Sequence, residues 1–259
     1  MTSNMQTALD IDALARRLDE AQTTRTDTPS LADGHELTID HAYAIQSALI
    51  ARREHRGEKV IGLKLGFTSE AKMAQMGVSE VIVGHLTDAM RFADGDCLEL
   101  TSFIHPRVEP EVAYRLGQDV DPDDAMVNIE ACVDAVAPAM EIIDSRYRDF
   151  RFTYTDVVAD NTSAAAFVIG TWQPLRSMDN RAVRMKVAGV ESVGSTTAIL
   201  GNPIRALHAL SEICRRRAIP LRAGQVILAG AATAALRLES GIVECDIAGL
   251  GSVTFEVSR

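Results

Sequence analysis

Two glutamates one residue apart, in Arg107-Val108-Glu109-Pro110-Glu111-Val112-Ala113, are the side chains of this sequence best placed to do chemistry. The run reads as a strand, in which side chains alternate faces, so Glu109 and Glu111 share one face while Val108, Pro110 and Val112 take the other. Two carboxylates side by side repel. A cation between them removes the repulsion, and oxygen-only ligands suit a hard ion such as Mg²⁺ or Mn²⁺ better than zinc. The competing reading is an edge strand with a solvated acidic face. A third acid, Glu141, stands in the apolar run from Ala135 to Ile143, where burial is costly without a partner of opposite charge. That partner is either a shared cation or Arg146. Lys64 poses the same problem with the opposite sign in Val60-Ile61-Gly62-Leu63-Lys64-Leu65-Gly66. It either snorkels out of the sheet or stays buried as a working acid, base or cation. Taken alone, Asp160-Asn161-Thr162-Ser163 reads as a turn or cap.

The elements that must position these residues follow from periodicity. Ile11, Leu14, Leu18 and Ala21 recur at helical spacing between Asp10 and Gln22, and Thr38-Ile39-Asp40 opens a second helix that stops near Gly57. The lysine run from Val60 to Gly66 is a strand with apolar residues on both faces. Thr68 or Ser69 caps a short helix from Glu70 to Met76, and Val81 to Leu86 and Leu98 to Leu100 are short strands. Asp123 to Pro138 is expected to be a helix, with a strand from Pro138 to Asp144 carrying Glu141. A strand from Ala166 to Ile169, a hairpin about Gly189, a helix from Pro203 to Arg217 and a strand-rich tail from Val226 to Val257 complete the chain. Strands and helices alternate without a βαβ rhythm, which favours a mixed α+β sheet over a doubly wound one.

Composition limits the partners. The 259 residues suffice for one large domain or a main domain with a small appendage, and 47% apolar with 24% charged residues is globular. A net charge of -10 repels nucleic acid and anionic lipid, although a metal and local cations can still draw a small anion into a pocket. Cys97, Cys132, Cys214 and Cys245 form no Cys-x-x-Cys pair and fit a reducing cytoplasm. Neither a signal peptide nor a membrane span is expected. The glycine-rich segments match no phosphate loop or dinucleotide fingerprint, and His85 and His105 read as ordinary packed or surface histidines.

From about Tyr43 to the C-terminus, an ordered set of segments resembles the hydratase/decarboxylase family of the fumarylacetoacetate hydrolase superfamily. The segments are Gly62-Leu63-Lys64-Leu65-Gly66-Phe67-Thr68-Ser69, His105 to Ala113, Glu141-Ile142-Ile143-Asp144-Ser145-Arg146, Ala159-Asp160-Asn161-Thr162-Ser163 and Gly249-Leu250-Gly251-Ser252-Val253. Lys72 to Val78 and Asp144 to Phe152 are more similar to the decarboxylase branch than to the hydratase branch. The resemblance implies an α+β fold built on a mixed β-sheet roll, with residues 1–259 as one catalytic domain. In that domain residues 1–57 would form a helical region and about 60–259 the metal-binding core. It implies Mg²⁺, or Mn²⁺, held by Glu109, Glu111 and Glu141, catalytic roles for Lys64 and Asp88, and substrate contacts from Asn161 and Ser163. It also implies a homo-oligomer that associates with a hydratase of the same pathway. The chain departs from the family pattern at Ser192-Val193-Gly194-Ser195-Thr196-Thr197 and at Ala164, changes that touch the substrate and not the metal.

The implied reaction is metal-dependent loss of CO₂ from 2-oxohex-3-enedioate to give 2-hydroxypenta-2,4-dienoate, in meta-cleavage degradation of aromatic compounds. The alternative is hydration of 2-hydroxypenta-2,4-dienoate, and a third reading is a non-catalytic partner subunit, against which the intact acidic triad argues. A 2-oxo acid offers two oxygens to one metal, and an alkene conjugated with the carbonyl carries the electrons released by decarboxylation. No organic cofactor is needed. A decarboxylase requires a weakly solvating pocket for the departing carboxylate, whereas a hydratase requires a water pocket with an acid/base pair.

Overall fold

The computed structural model describes residues 9–259, apart from residues 70–72, 75–76, 79, 122–123 and 125–126. Two helices lead. In α1 (Ile11–Thr24) the Asp10 carboxylate accepts the Ala13 amide, and Leu14, Ala15, Leu18 and Ala21 form the buried stripe. In α2 (Ile39–His55) Thr38 and His41 cap each other reciprocally, and Arg52, Arg53 and His55 occupy the last turn, where the helix dipole favours cations. Both helices pack, through Leu14, Leu18, Ile45 and Leu49, on Ile82, Tyr147 and Val157.

The strands follow in chain order: β1 (Val60–Gly66), β2 (Ile82–Thr87), β3 (Arg91–Phe92), β4 (Cys97–Glu99), β5 (Arg107–Leu116) and β6 (Val133–Ile143). After the short helix α3 (Tyr154–Ala159) come β7 (Ala164–Ile169), β8 (Gln173–Pro174), β9 (Ala182–Val187) and β10 (Val190–Ser195). Helix α4 (Ile204–Arg217) then precedes β11 (Val226–Ala231), β12 (Leu236–Arg237), β13 (Gly241–Ile247) and β14 (Gly251–Ser258). Among these residues, no helix is long and apolar enough to cross a membrane. Nine strands form one mixed sheet in the order β2-β1-β11-β5-β6-β7-β3, with β12 on β5 and β8 on β6. The other five form a second sheet, β10-β9-β13-β14-β4. One apolar core joins the two sheets, with Val112 and Met140 from the first meeting Val183, Met185 and Phe255 from the second. This is the expected mixed α+β architecture.

One element differs from expectation. The helix predicted over Asp123–Pro138 begins partly outside the described residues, and from Val133 onward the chain is strand β6, paired along its length with β5. The run is apolar on both faces because both are buried, so it shows no strand alternation, and its alanines favour helix. Pro138 suggested an element boundary. It lies instead where one side of β6 passes from β8, paired up to Val136, to β7, paired from Ala139, a break in the ladder that tolerates a missing N–H. The predicted helix from Glu70 to Met76 falls largely outside the described residues.

Candidate active site

Pairing β5 with β6 sets Glu109 directly opposite Glu141, and Glu111 lies two residues along the same face of β5. The three carboxylates each offer an oxygen within 4.8 Å of the others'. Glu111 and Glu141 are wholly buried, and Glu109 is 5% exposed. These strands are central to the sheet, so the reading of a solvated acidic edge fails.

Lys64, on β1, does not snorkel; it is 3% exposed. Its Nζ lies 3.0 Å from Glu141 Oε2 and donates to the Thr162 carbonyl at 3.0 Å. The contact with Glu141 is an ion pair without hydrogen-bond alignment, so both Glu141 oxygens and Glu111 Oε1 lack a hydrogen-bond donor. Arg146, the alternative partner for Glu141, is spent elsewhere. It is buried in an ion pair with Asp160 and also donates to the Asp144 and Ala164 carbonyls at 3.0 Å.

Burial, then the nearby Glu141 charge, holds the Glu111 carboxyl well above the ordinary glutamate range. Burial likewise raises Glu141, against the opposing pull of Lys64. Among the described residues, Lys64 is the one cation in contact with these acids in a desolvated space. Three convergent carboxylates, two of which, Glu111 and Glu141, have buried oxygens without a hydrogen-bond partner, fit a hard divalent cation, and the all-oxygen donor set is that of Mg²⁺ or Mn²⁺.

A backbone irregularity aims Glu111. Between Leu228 and Ala231 the β11–β5 register shifts, and the freed Gly230 amide donates to Glu111 Oε2 at 2.7 Å. Gly230 has φ +109°, and a Cβ there would collide with the Thr68 side chain. Neither Gly230 nor Thr68 was foreseen as part of the site. The only trace in the sequence is the small-residue run Ala229-Gly230-Ala231-Ala232 inside a strand.

The segment Asn161–Ser163 forms a turn in which all three residues have left-handed φ, between 49° and 61°. It presses so close to Gly84 that a side chain there would overlap Thr162. This turn delivers the Thr162 carbonyl to Lys64. Ser163 Oγ is buried and without a hydrogen-bond partner. Asn161, expected to contact substrate, uses its amide on the His85 backbone: Oδ1 accepts from N at 2.7 Å and Nδ2 donates to O at 2.9 Å. Asp88 is not brought to the cluster. It sits in an exposed turn past the end of β2, where Oδ1 accepts the Lys59 and Ala89 amides at 2.9 and 3.0 Å. Lys64 pairs with Gly84, and four residues of strand separate that from Asp88, roughly 13 Å along the chain.

A cavity of about 640 Å³ opens over Glu109. Its walls come from Leu65–Ser69 after β1, from Val193–Ser195 with Thr197 and Ala198, and from Ala231–Ala234 after β11. The family model for the fumarylacetoacetate (FAA) hydrolase C-terminal region matches residues 59–258, the span that carries every one of these groups. The chain belongs to that family. It is 47% identical to a 4-oxalocrotonate decarboxylase from Pseudomonas sp over 96% of this chain and 98% of the relative. It is 37% identical to a 2-keto-4-pentenoate hydratase from Paraburkholderia xenovorans strain LB400, over 85% of this chain and 84% of that one. Among solved structures, 4-oxalocrotonate decarboxylase from Pseudomonas putida G7, complexed with magnesium and adipate, superposes with a TM-score of 0.91. That match covers 100% of this chain and 99% of the other at 33% identity. The fumarylacetoacetate hydrolase fold thus accounts for the mixed sheets and the short peripheral helices.

Proposed function

We propose that this chain is a Mg²⁺-dependent decarboxylase converting 2-oxohex-3-enedioate (4-oxalocrotonate) to 2-hydroxypenta-2,4-dienoate and CO₂, as part of meta-cleavage catabolism of aromatic compounds. The observation that carries the reading is the buried triad Glu109, Glu111 and Glu141, with three carboxylate oxygens lacking a donor beside an ion-paired lysine. The 47% identical relative is named for this activity, and adipate in the superposed structure is a six-carbon diacid, as is the proposed substrate.

In this reading Glu109, Glu111 and Glu141 hold the cation, which when bound acts as a Lewis acid toward the 2-oxo acid. Lys64, fixed by Glu141 and the Thr162 carbonyl, keeps a positive charge beside the oxygen on which negative charge develops. It also supplies the proton that this oxygen needs to give the dienol. Ser163, with its unpartnered hydroxyl, is the substrate contact the turn offers, while Asn161 holds the turn to β2. Asp88 has a turn-stabilising role. We read residues 1–259 as one catalytic domain, with the helical region 1–57 docked on a metal-binding core of about 60–259. The Asp156 carboxylate, which accepts the Leu31 amide at 2.9 Å, supports that docking. We also expect a cytoplasmic homo-oligomer that associates with a pathway hydratase. The free cysteines and the exposed Val190 and Ile242 support the first part, and light scattering of the purified protein tests the second.

The test is ultraviolet spectroscopy of the Mg²⁺-loaded protein with each candidate acid, together with measurement of released CO₂. Consumption of 2-oxohex-3-enedioate with equivalent CO₂ is expected. Loss of the dienoate chromophore without CO₂ release would establish the hydratase reading instead, which the 37% identical hydratase supports.

A further inference from the structure

Arg146 is 1% exposed, and nothing in the carboxylate cluster accounts for a guanidinium so deep. Its donors fall at particular places along the chain. Nε donates to the Asp160 carboxylate and Nη2 to the Asp160 carbonyl, while Nη1 donates to the Ala164 and Asp144 carbonyls, both at 3.0 Å. The Arg146 backbone amide adds a bond to the second Asp160 oxygen at 3.1 Å. Asp160 and Ala164 are the residues on either side of Asn161–Ser163, so one planar fork spans that turn from its entrance to its exit.

The turn needs such a hold. Asn161, Thr162 and Ser163 have φ of 49°, 53° and 61°, a region that residues with a Cβ enter singly and at a cost, so three in succession persist only where the surroundings impose them. Inside the turn the Ser163 amide donates to the Asp160 carbonyl at 2.9 Å, and the Asp144 amide donates to the Ser163 carbonyl at 2.8 Å. Among the described residues two contacts locate Lys64 Nζ, one to Glu141 Oε2 and one to the Thr162 carbonyl. The strand ladder places Glu141. Thr162, in contrast, stands at the middle of the turn whose two ends Arg146 grips.

We propose that Arg146 is a positioning residue for Lys64: by closing Asp160 and Ala164 about the turn, it aims the Thr162 carbonyl that fixes the Lys64 ammonium beside Glu141. The inference rests on the reading of Lys64 as the group that faces the substrate oxygen. Without the fork the Thr162 carbonyl loses its aim and the ammonium its second anchor, while the carboxylates keep their places on β5 and β6. Charge alone does not serve. A lysine at this position balances Asp160, but a point-like ammonium does not span both carbonyls that bracket the turn together with the carboxylate.

The test combines the ¹⁵N spectrum of the lysine ammonium groups with kcat for CO₂ release and a Mg²⁺ titration. Loss of a signal in Lys64→Met identifies the Lys64 ammonium, which in the Mg²⁺-loaded wild type is expected to exchange slowly with water. The double variant Arg146→Gln with Asp160→Asn removes both buried charges together and so leaves neither unpaired. There the Lys64 signal should pass into fast exchange and kcat should fall about 10–100-fold, the scale of a misplaced reacting group. The Mg²⁺ dissociation constant should stay within about threefold of wild type. Arg146→Lys should show the same fall in kcat at the same Mg²⁺ affinity, and it carries the test if the double variant does not fold. A lowered melting temperature with the Lys64 signal and kcat unchanged would mean a merely structural role and overturns the inference. A loss of Mg²⁺ affinity of about tenfold or more also overturns it, since Arg146 would then act on the carboxylates. So does a wild type without a protected Lys64 signal. Full turnover in Lys64→Met overturns the reading of Lys64, and the inference with it, whereas turnover lost there but kept in both Arg146 variants overturns the inference alone.

Discussion

Glu111 and Glu141 are easier to protonate in the fold than in the unfolded chain, because burial raises both above the ordinary glutamate value of 4.5. A carboxyl raised by folding contributes stability that is fully present below its unfolded value and is lost as pH rises through its folded value. The metal-free protein should therefore lose melting temperature as pH climbs above 4.5, and Mg²⁺ should restore more of it the higher the pH. Thermal melts with and without Mg²⁺ across that range check the sign, and Glu111→Gln should flatten the metal-free slope. Lys64 belongs to the same charge balance. Its replacement in Lys64→Met should reduce kcat by about 100-fold or more while Mg²⁺ still binds, since the carboxylates remain. Steady-state kinetics paired with a metal titration read the two effects separately.

At the scale of elements, the triad is a product of register. A one-residue slip of β6 against β5 would turn Glu141 away from Glu109, so their pairing fixes the geometry of the carboxylate cluster. The β11 irregularity fixes the third carboxylate, Glu111, through the Gly230 amide. Gly230→Ala should weaken Mg²⁺ binding by about 10–100-fold, the usual range for a group that orients a ligand, with the loss measured by calorimetry. The sequence made Glu109, Glu111, Glu141 and Lys64 legible because charge inside apolar strands is conspicuous. Asp88 and Asn161 lie where their side chains meet backbone groups, a placement the sequence does not show, since polar residues beside a site look alike whether they face a ligand or a backbone. Strand β6 was half missed, because a strand buried on both faces has no period and alanine disguised it. The three left-handed residues from Asn161 to Ser163 had no sequence signal, as none is glycine.

Across the whole molecule, the helical region and the sheet are joined by buried polar contacts as well as apolar packing. Asp156 accepts from Ser30 Oγ at 2.6 Å, from the Leu31 and Ala32 amides at 2.9 and 3.2 Å, and from the Thr153 amide at 2.8 Å. Asp156→Ala strands those donors and should cost about 3 kcal/mol, read by urea denaturation, with Mg²⁺ affinity unaltered because Asp156 is not a member of the triad. The helices α1, α2 and α4 and most strand runs were foreseeable at this scale from local periodicity. The order in which fourteen strands pair was not, because non-local register leaves little trace in neighbouring residues.

Strand β2 ends the order of the larger sheet, and its outward backbone groups are met by side chains instead of by another strand. Tyr43 Oη accepts the Val83 amide at 3.3 Å, Gln46 Nε2 donates to the Val83 carbonyl at 2.9 Å, and Asn161 does both for His85. An unsatisfied edge of this kind is a template for intermolecular pairing. The helical region and the Asn161 turn thus act together as a guard against fibrillar self-association, and a nascent chain stays vulnerable until both have docked.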